Sequence, residues 1–219
     1  MAEAHRRHDL LDVEPGAWAA ALAGRADLTG VPHVAAWVDD GRPVILRRAH
    51  PEEDEGLVPV GLPLPPRDGK RRIGLALPRH AVRPRASFLL SEARAACPPS
   101  WTATLDALIA LGERHGLAPR PFGSLLWQSL TGLPYLSERS DLDLLWPVPG
   151  AVPARLMEGI AAIEARAPMR LDGEILLSDG GGVNWRELHS TGASGTVLVK
   201  HHDRLALREA AALLAGDPE

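Results

Sequence analysis

The sequence predicts an α+β protein, with a small β-rich domain over residues 1–86 and a mixed sheet with helices over residues 87–219. Three observations carry this. Before residue 86, short apolar runs alternate with turns rich in Pro and Gly. From Ser87 onward, helical apolar stripes alternate with strand-like runs. The chain has 219 residues, 45% hydrophobic and 24% charged, enough to bury a core as one large domain or as a small domain joined to a medium one.

The elements follow in order. Glu14-Pro15-Gly16-Ala17-Trp18 starts a helix with proline in its first turn, and Gly24 lies near its end. Residues 33–38 and 43–47 flank Asp39-Asp40-Gly41-Arg42, a hairpin signal. Glu52, Glu53, Asp54, Glu55 and Gly56 make an acidic loop. Extended pieces over residues 57–64 and 71–77 are separated by Pro65-Pro66-Arg67-Asp68-Gly69. Residues 88–96 read as a short helix, interrupted by Cys97-Pro98-Pro99. Ser100 or Thr102 then caps a longer helix whose stripe is Trp101, Leu105, Leu108 and Ile109, closing at His115-Gly116.

Residues 117–200 read as strand, helix, strand, helix and hairpin. The second of these helices starts at Pro153, buries Leu156, Ile160 and Ile163, and is stopped by Pro168. The hairpin pairs residues 174–177 with 183–188 across Asp179-Gly180-Gly181-Gly182. Residues 197–200 form a further strand, and residues 207–214 a closing helix.

Composition excludes several classes. A formal net charge of −4 does not favour binding to nucleic-acid backbones. The single cysteine, Cys97, allows no intramolecular disulfide and no thiolate zinc cluster. The charged start lacks the apolar core of a secretory signal. No run approaches the roughly 20 apolar residues that span a bilayer. The expectation is a soluble, cytoplasmic protein that binds neither nucleic acid nor membrane.

The chemistry concentrates in two places. Phe122-Gly123-Ser124 opens a helix over residues 125–131, closed by Gly132 and Pro134. Gly123 allows a phosphate close to the backbone, Ser124 offers a hydroxyl and an N-cap, and the helix aims free N–H groups and the positive end of its dipole at an anion. Then comes Ser140-Asp141-Leu142-Asp143-Leu144-Leu145-Trp146. In a strand, Asp141 and Asp143 point to one side while Leu142, Leu144 and Trp146 face the core. Their Cα atoms then stand about 6.7 Å apart, from which carboxylates can converge on divalent ions. Two adjacent anions repel, and Mg²⁺ relieves that cost while keeping positions for phosphate oxygens. Each motif alone has an ordinary explanation, a helix cap or a solvated strand; together they point to a metal-phosphate site.

A third acid would orient an attacking hydroxyl. Asp172 is the first choice, with Glu174 on the same strand face as the alternative. Lys200 ends a strand and is within reach of a phosphate or of solvent. Arg47-Arg48 and Lys70-Arg71-Arg72 are basic clusters suited either to phosphates and an acidic partner or to protecting strand edges. Trp127 and Trp146 flank the site in sequence. His201-His202 is too isolated to be a metal site.

The Gly-Ser and Asp-x-Asp pair resembles the nucleotidyltransferase superfamily that includes DNA polymerase β. The longer strings are more specific. Phe122-Gly123-Ser124-Leu125-Leu126-Trp127-Gln128, Thr131-Gly132-Leu133-Pro134-Tyr135-Leu136 and Ser140-Asp141-Leu142-Asp143-Leu144-Leu145 resemble the malonate decarboxylase holo-acyl-carrier-protein synthases, also called phosphoribosyl-dephospho-CoA transferases. Arg7-His8-Asp9-Leu10-Leu11, Gly61-Leu62-Pro63-Leu64-Pro65 and Lys70-Arg71-Arg72-Ile73 are similar to that family's N-terminal region. Asp172-Gly173-Glu174 and Val183-Asn184-Trp185-Arg186-Glu187-Leu188 are similar to its C-terminal part.

The resemblance implies a polymerase β-like catalytic domain over residues 87–219, with Asp141 and Asp143 catalytic. It also implies transfer of phosphoribosyl-dephospho-CoA from 2′-(5-triphosphoribosyl)-3′-dephospho-CoA to a serine of the apo acyl-carrier-protein subunit of malonate decarboxylase, with loss of pyrophosphate. Two other functions fit the same residues: AMP transfer from ATP, and a non-catalytic module that binds the carrier protein.

Overall fold

The computed structural model describes residues 7–48, 53, 54 and 56–215. Residues 1–6 of the charged start, and Glu52 and Glu55 of the expected acidic loop, lie outside these. The chain is α+β and divides into two compact units. The first comprises Met1–Ser87 with Leu133–Tyr135, the second Phe88–Gly132 with Leu136–Glu219.

The first unit holds β1 (Leu10–Val13), α1 (Pro15–Ala23), β2 (Val44–Leu46), β3 (Leu57–Pro63), β4 (Arg72–Pro78) and β5 (Val82–Pro84). Glu14 caps α1 by accepting from the Gly16 and Ala17 N–H groups. The strands form an antiparallel sheet in the order β4-β3-β2-β1-β5. In β3 and β4 alternate residues are buried, and the register sets Val58 opposite Leu77, Val60 opposite Leu75 and Leu62 opposite Ile73. One face of this ribbon is therefore core. Tyr135 joins the unit by donating its hydroxyl to the Pro63 carbonyl, 2.8 Å away.

The expected hairpin over residues 33–47 does not form. Residues 32–41 are turns, and β2 pairs with β1 and β3 instead. Two buried indoles organise the turns: Trp18 Nε1 donates to the Val34 carbonyl at 2.9 Å and Trp37 Nε1 to the Pro43 carbonyl at 2.8 Å. Those side-chain bonds replace the ladder that a hairpin would have made.

The second unit begins with a 3₁₀ helix, Leu90–Ala96, where the sequence suggests an α-helix. Next come α2 (Thr102–Arg114), β6 (Arg120–Phe122), α3 (Gly123–Thr131), β7 (Leu142–Pro147), β8 (Val152–Pro153) and α4 (Ala154–Glu164). β9 (Leu171–Leu176), β10 (Gly182–Asn184), α5 (Trp185–Thr191), β11 (Thr196–Lys200), β12 (Leu205–Glu209) and β13 (Leu214–Ala215) complete it. Neither Ser100 nor Thr102 caps α2; a 3₁₀ turn, Pro99–Trp101, leads into it and buries Trp101.

A six-stranded sheet runs β12-β11-β10-β9-β7-β6. Its one parallel pair among the described strands is β7 with β9, joined through α4 as a β-α-β crossover. The core gathers Leu105 and Leu108 of α2, Leu156 and Ile160 of α4, and Trp185 and Leu188 of α5. Against them lie Leu142, Leu144 and Trp146 of β7, Leu171 and Ile175 of β9, and Val197 and Val199 of β11. By alternation, Asp143 and Asp172 point away from this core.

Two more expectations are corrected here. Residues 183–188 are not one strand, because β10 ends at Asn184 and α5 starts at Trp185. Residues 207–214 are not a helix: Leu205–Glu209 pairs along all five residues of β11, and a 3₁₀ turn and β13 follow. The Ala-rich end favours helix locally, but the ladder with β11 satisfies its backbone and outweighs that preference.

Candidate active site

The site forms where β6 turns into α3. Phe122 pairs with Asp143 in the β6–β7 ladder, so the glycine that follows lies beside that aspartate. Gly123 has φ +63°, and a Cβ built there would come within 2.1 Å of Asp143 Oδ2. A side chain is therefore excluded twice, by conformation and by the carboxylate. Helix α3 starts at Gly123 itself with Phe122 as its cap residue, so Ser124 is not the N-cap expected from the sequence. It occupies the second helical position, and its hydroxyl makes no hydrogen bond among the described residues. Gln128 fixes the helix, donating through Nε2 to the Ala96 carbonyl and accepting from the Leu136 N–H through Oε1.

Asp141 precedes β7 by one residue. A turn over residues 137–140 delivers it, with the Ser140 N–H on the Ser137 carbonyl at 3.0 Å and Ser140 Oγ accepting from the Ser137 N–H at 2.9 Å. The Leu142 N–H then bonds the Arg170 carbonyl and starts the parallel ladder. That ladder sets Asp143 opposite Asp172. One guanidinium faces both remaining acids, with Arg170 Nη1 3.8 Å from Asp141 Oδ2 and Nη2 3.9 Å from Asp172 Oδ2. The three aspartates thus lie at or just before the N-terminal ends of adjacent parallel strands.

Asp172 is in a strand, not a turn. Gly173, at φ 151°, continues β9, where a Cβ would fall 2.1 Å from the Leu144 carbonyl oxygen. Oδ1 of Asp172 accepts from the Gly173 N–H at 2.8 Å and from Asn184 Nδ2 at 3.1 Å. Glu174, the alternative third acid, is only 6% exposed and lies 3.4 Å from Lys200 Nζ on β11. This neighbour gives both groups a structural engagement. Trp146 is buried in the core on the opposite side of β7 from Asp143, so it supports the strand without lining the site.

The frame behind the acids is held by Arg186. Its guanidinium makes a paired contact with the Glu164 carboxylate, donates to the Leu171 carbonyl at 2.6 Å, and lies 4.6 Å over the Trp185 ring. Burial of Glu164 disfavours its charge. Hydrogen bonds from Arg186 and the Leu171 N–H outweigh that cost and hold its carboxyl below the ordinary value. Arg186 is held above its ordinary range, chiefly by its hydrogen bond to Glu164, with smaller contributions from Asp172 and Asp141.

Of the two basic clusters, Arg47 serves the fold. It is 20% exposed, pairs with Glu53 and donates to the Val60 and Leu75 carbonyls. Lys70, Arg71 and Arg72 are exposed. Sequence reasoning missed Arg170 and Asn184. Arg170 had no motif to mark it. Asn184 carried a usable signal, an N-cap residue before Trp185-Arg186-Glu187-Leu188, hidden by reading residues 183–188 as a strand.

The described residues contain no group of three or more His, Cys, Asp or Glu side chains arranged to hold a metal ion. No helix among them is long and apolar enough to cross a membrane.

Comparison with known proteins covers nearly the whole chain. Residues 6–88 match the phosphoribosyl-dephospho-CoA transferase MdcG N-terminal domain, and residues 89–211 match the MdcG C-terminal domain. A phosphoribosyl-dephospho-CoA transferase of Bradyrhizobium diazoefficiens is 44% identical, over 96% of this chain and 92% of that protein. One from Xanthomonas campestris pv. campestris is 39% identical over 94% and 95%, and one from Azotobacter vinelandii 34% identical over 73% and 79%. No solved structure matches the chain significantly.

Proposed function

The chain belongs to the phosphoribosyl-dephospho-CoA transferase family, and on that premise we propose its full reaction. The donor is 2′-(5-triphosphoribosyl)-3′-dephospho-CoA, and the acceptor is a serine of the apo acyl-carrier-protein subunit of malonate decarboxylase. The serine oxygen forms a bond to the α-phosphorus while the bond from that phosphorus to the pyrophosphate oxygen breaks. The serine hydroxyl passes its proton to the Asp172 carboxylate that accepts its hydrogen bond, and pyrophosphate leaves.

The observation that carries this reading is the closeness of Gly123 to Asp143, where a Cβ would lie 2.1 Å from the carboxylate. A bare backbone at a helix start, directly beside an acid, suits a phosphate chain that must meet N–H groups on one side and a cation on the other. The apparatus resembles that of polymerase β-like nucleotidyltransferases, and we assign residues 87–219 to that class as the catalytic domain.

The donor set fits Mg²⁺. It offers hard carboxylate oxygens, and magnesium is commonly held by one or two carboxylates together with substrate phosphates and water. Asp141 and Asp143 are the proposed ligands. When bound, the metal neutralises phosphate charge and aligns the entering and leaving oxygens. The Gly123 backbone and the first N–H groups of α3 hold the departing pyrophosphate, and the Ser124 hydroxyl donates to it. Asp172 accepts a hydrogen bond from the carrier serine and points its oxygen at phosphorus. Lys70, Arg71 and Arg72 present an exposed basic surface for an acidic carrier.

Pyrophosphate release tests the donor assignment. With apo-carrier present, the triphosphoribosyl compound should support release and ATP should not. Release from ATP alone would replace this reaction with AMP transfer.

A further inference from the structure

We infer that Asn184 is a positioning residue that fixes the carboxylate of Asp172 for attack. The inference rests on the proposed role of Asp172. Both ends of the Asn184 amide are committed. Its Oδ1 accepts from the Arg186 N–H at 3.0 Å and the Glu187 N–H at 3.3 Å, capping α5. Its Nδ2 donates to Asp172 Oδ1 at 3.1 Å. The amide has one usable orientation, because turning it over would set its NH₂ against two backbone N–H groups and its oxygen against a carboxylate.

The consequence reaches the site. With Oδ1 of Asp172 held by Asn184 and by the Gly173 N–H, the carboxylate cannot rotate freely. Its Oδ2 is then the oxygen presented on the side of Arg170 and Asp141. An oxygen already accepting two hydrogen bonds is a poor acceptor for a third, so the incoming hydroxyl is directed to Oδ2. The position of Asn184 is itself fixed twice, by pairing with Glu174 in the β9–β10 ladder and by the start of α5.

Capping and positioning separate by substitution. Asn184→Ser retains a capping oxygen but loses the amide donor to Asp172. It should melt within a few degrees of wild type, with kcat about 10–100-fold lower and the KM for the donor little changed. Asn184→Ala should lose both thermal stability and kcat. In an Asp172→Asn background, Asn184→Ser should cause no further loss of kcat, because its effect passes through the carboxylate already removed. A wild-type kcat in the folded Asn184→Ser variant would overturn the inference. So would an equal fall in kcat in both backgrounds, the signature of a helix cap alone. Full activity in Asp172→Asn by itself would instead remove the assignment of Asp172.

Discussion

Strands β7 and β9 share a length of six residues, a Leu-Asp opening and a parallel register that sets Asp143 against Asp172, but their aspartates meet different neighbours. Asp143 lies against the bare backbone of Gly123 at the start of α3, where nothing larger than hydrogen fits. Asp172 is held through one oxygen by the amide of Asn184 and by its own strand's Gly173 N–H. The first environment suits a group that shares a phosphate with helix N–H donors. The second suits a group that must keep one orientation while it accepts a hydroxyl. On the proposed reading, similar strands take different tasks from what stands beside them.

The strongest way to break this contrast is on β7. Asp143→Ala, or the double variant Asp141→Ala/Asp143→Ala, should lose about 4 kcal/mol of transition-state stabilisation, a fall of roughly 10³-fold in transfer rate with the fold intact. Circular dichroism and single-turnover transfer measure both together. On β9, Asp172→Asn should slow transfer by about 10²-fold and leave the Mg²⁺ concentration for half-maximal rate unchanged. A raised metal requirement in that variant would erase the division of labour between the strands.

Gly123→Ala sharpens the same contrast, since the added methyl meets the Asp143 carboxylate and must adopt φ +63°. Transfer should drop about 10²-fold while stability falls by only about 1–2 kcal/mol, measured by urea denaturation. The frame that both strands lean on gives a smaller effect. The carboxyl of Glu164 is lowered by Arg186, so its contribution is fully present above its unfolded value and is lost as pH falls through the lowered folded value. Glu164→Gln should cost about 1–2 kcal/mol near neutrality, and the difference from wild type should shrink as pH drops below about 4. Urea midpoints across pH check this. Reversing charge at Arg71 and Arg72 should give the mildest result, a few-fold higher KM for the carrier with kcat unchanged and a flatter salt dependence.

Much of this site was legible because its signals are local. Gly123-Ser124 before an apolar helix, and acids alternating with Leu142, Leu144 and Trp146, announce themselves within a few residues. What could not be read depended on distant partners. The parallel pairing that sets Asp172 beside Asp143 is made across α4, and no local pattern in the sequence states that register. Residues 183–188 fit a strand by alternation and a helix by the spacing of Trp185 and Leu188. Asn184 decides for the helix by capping it. Residues 207–214 favour a helix by composition, yet Leu205–Glu209 completes the ladder of β11. Residues 33–38 gave way to the indole hydrogen bonds of Trp18 and Trp37.

Intact mass of the apo-carrier protein is the most direct measurement of the central claim. After incubation with Mg²⁺, the triphosphoribosyl donor and the wild-type protein, the carrier should gain the whole phosphoribosyl-dephospho-CoA group on one serine. With a folded Asp141→Ala/Asp143→Ala variant it should stay unmodified over the same time. An unchanged carrier in the first reaction, or a modified one at similar rate in the second, would contradict the account.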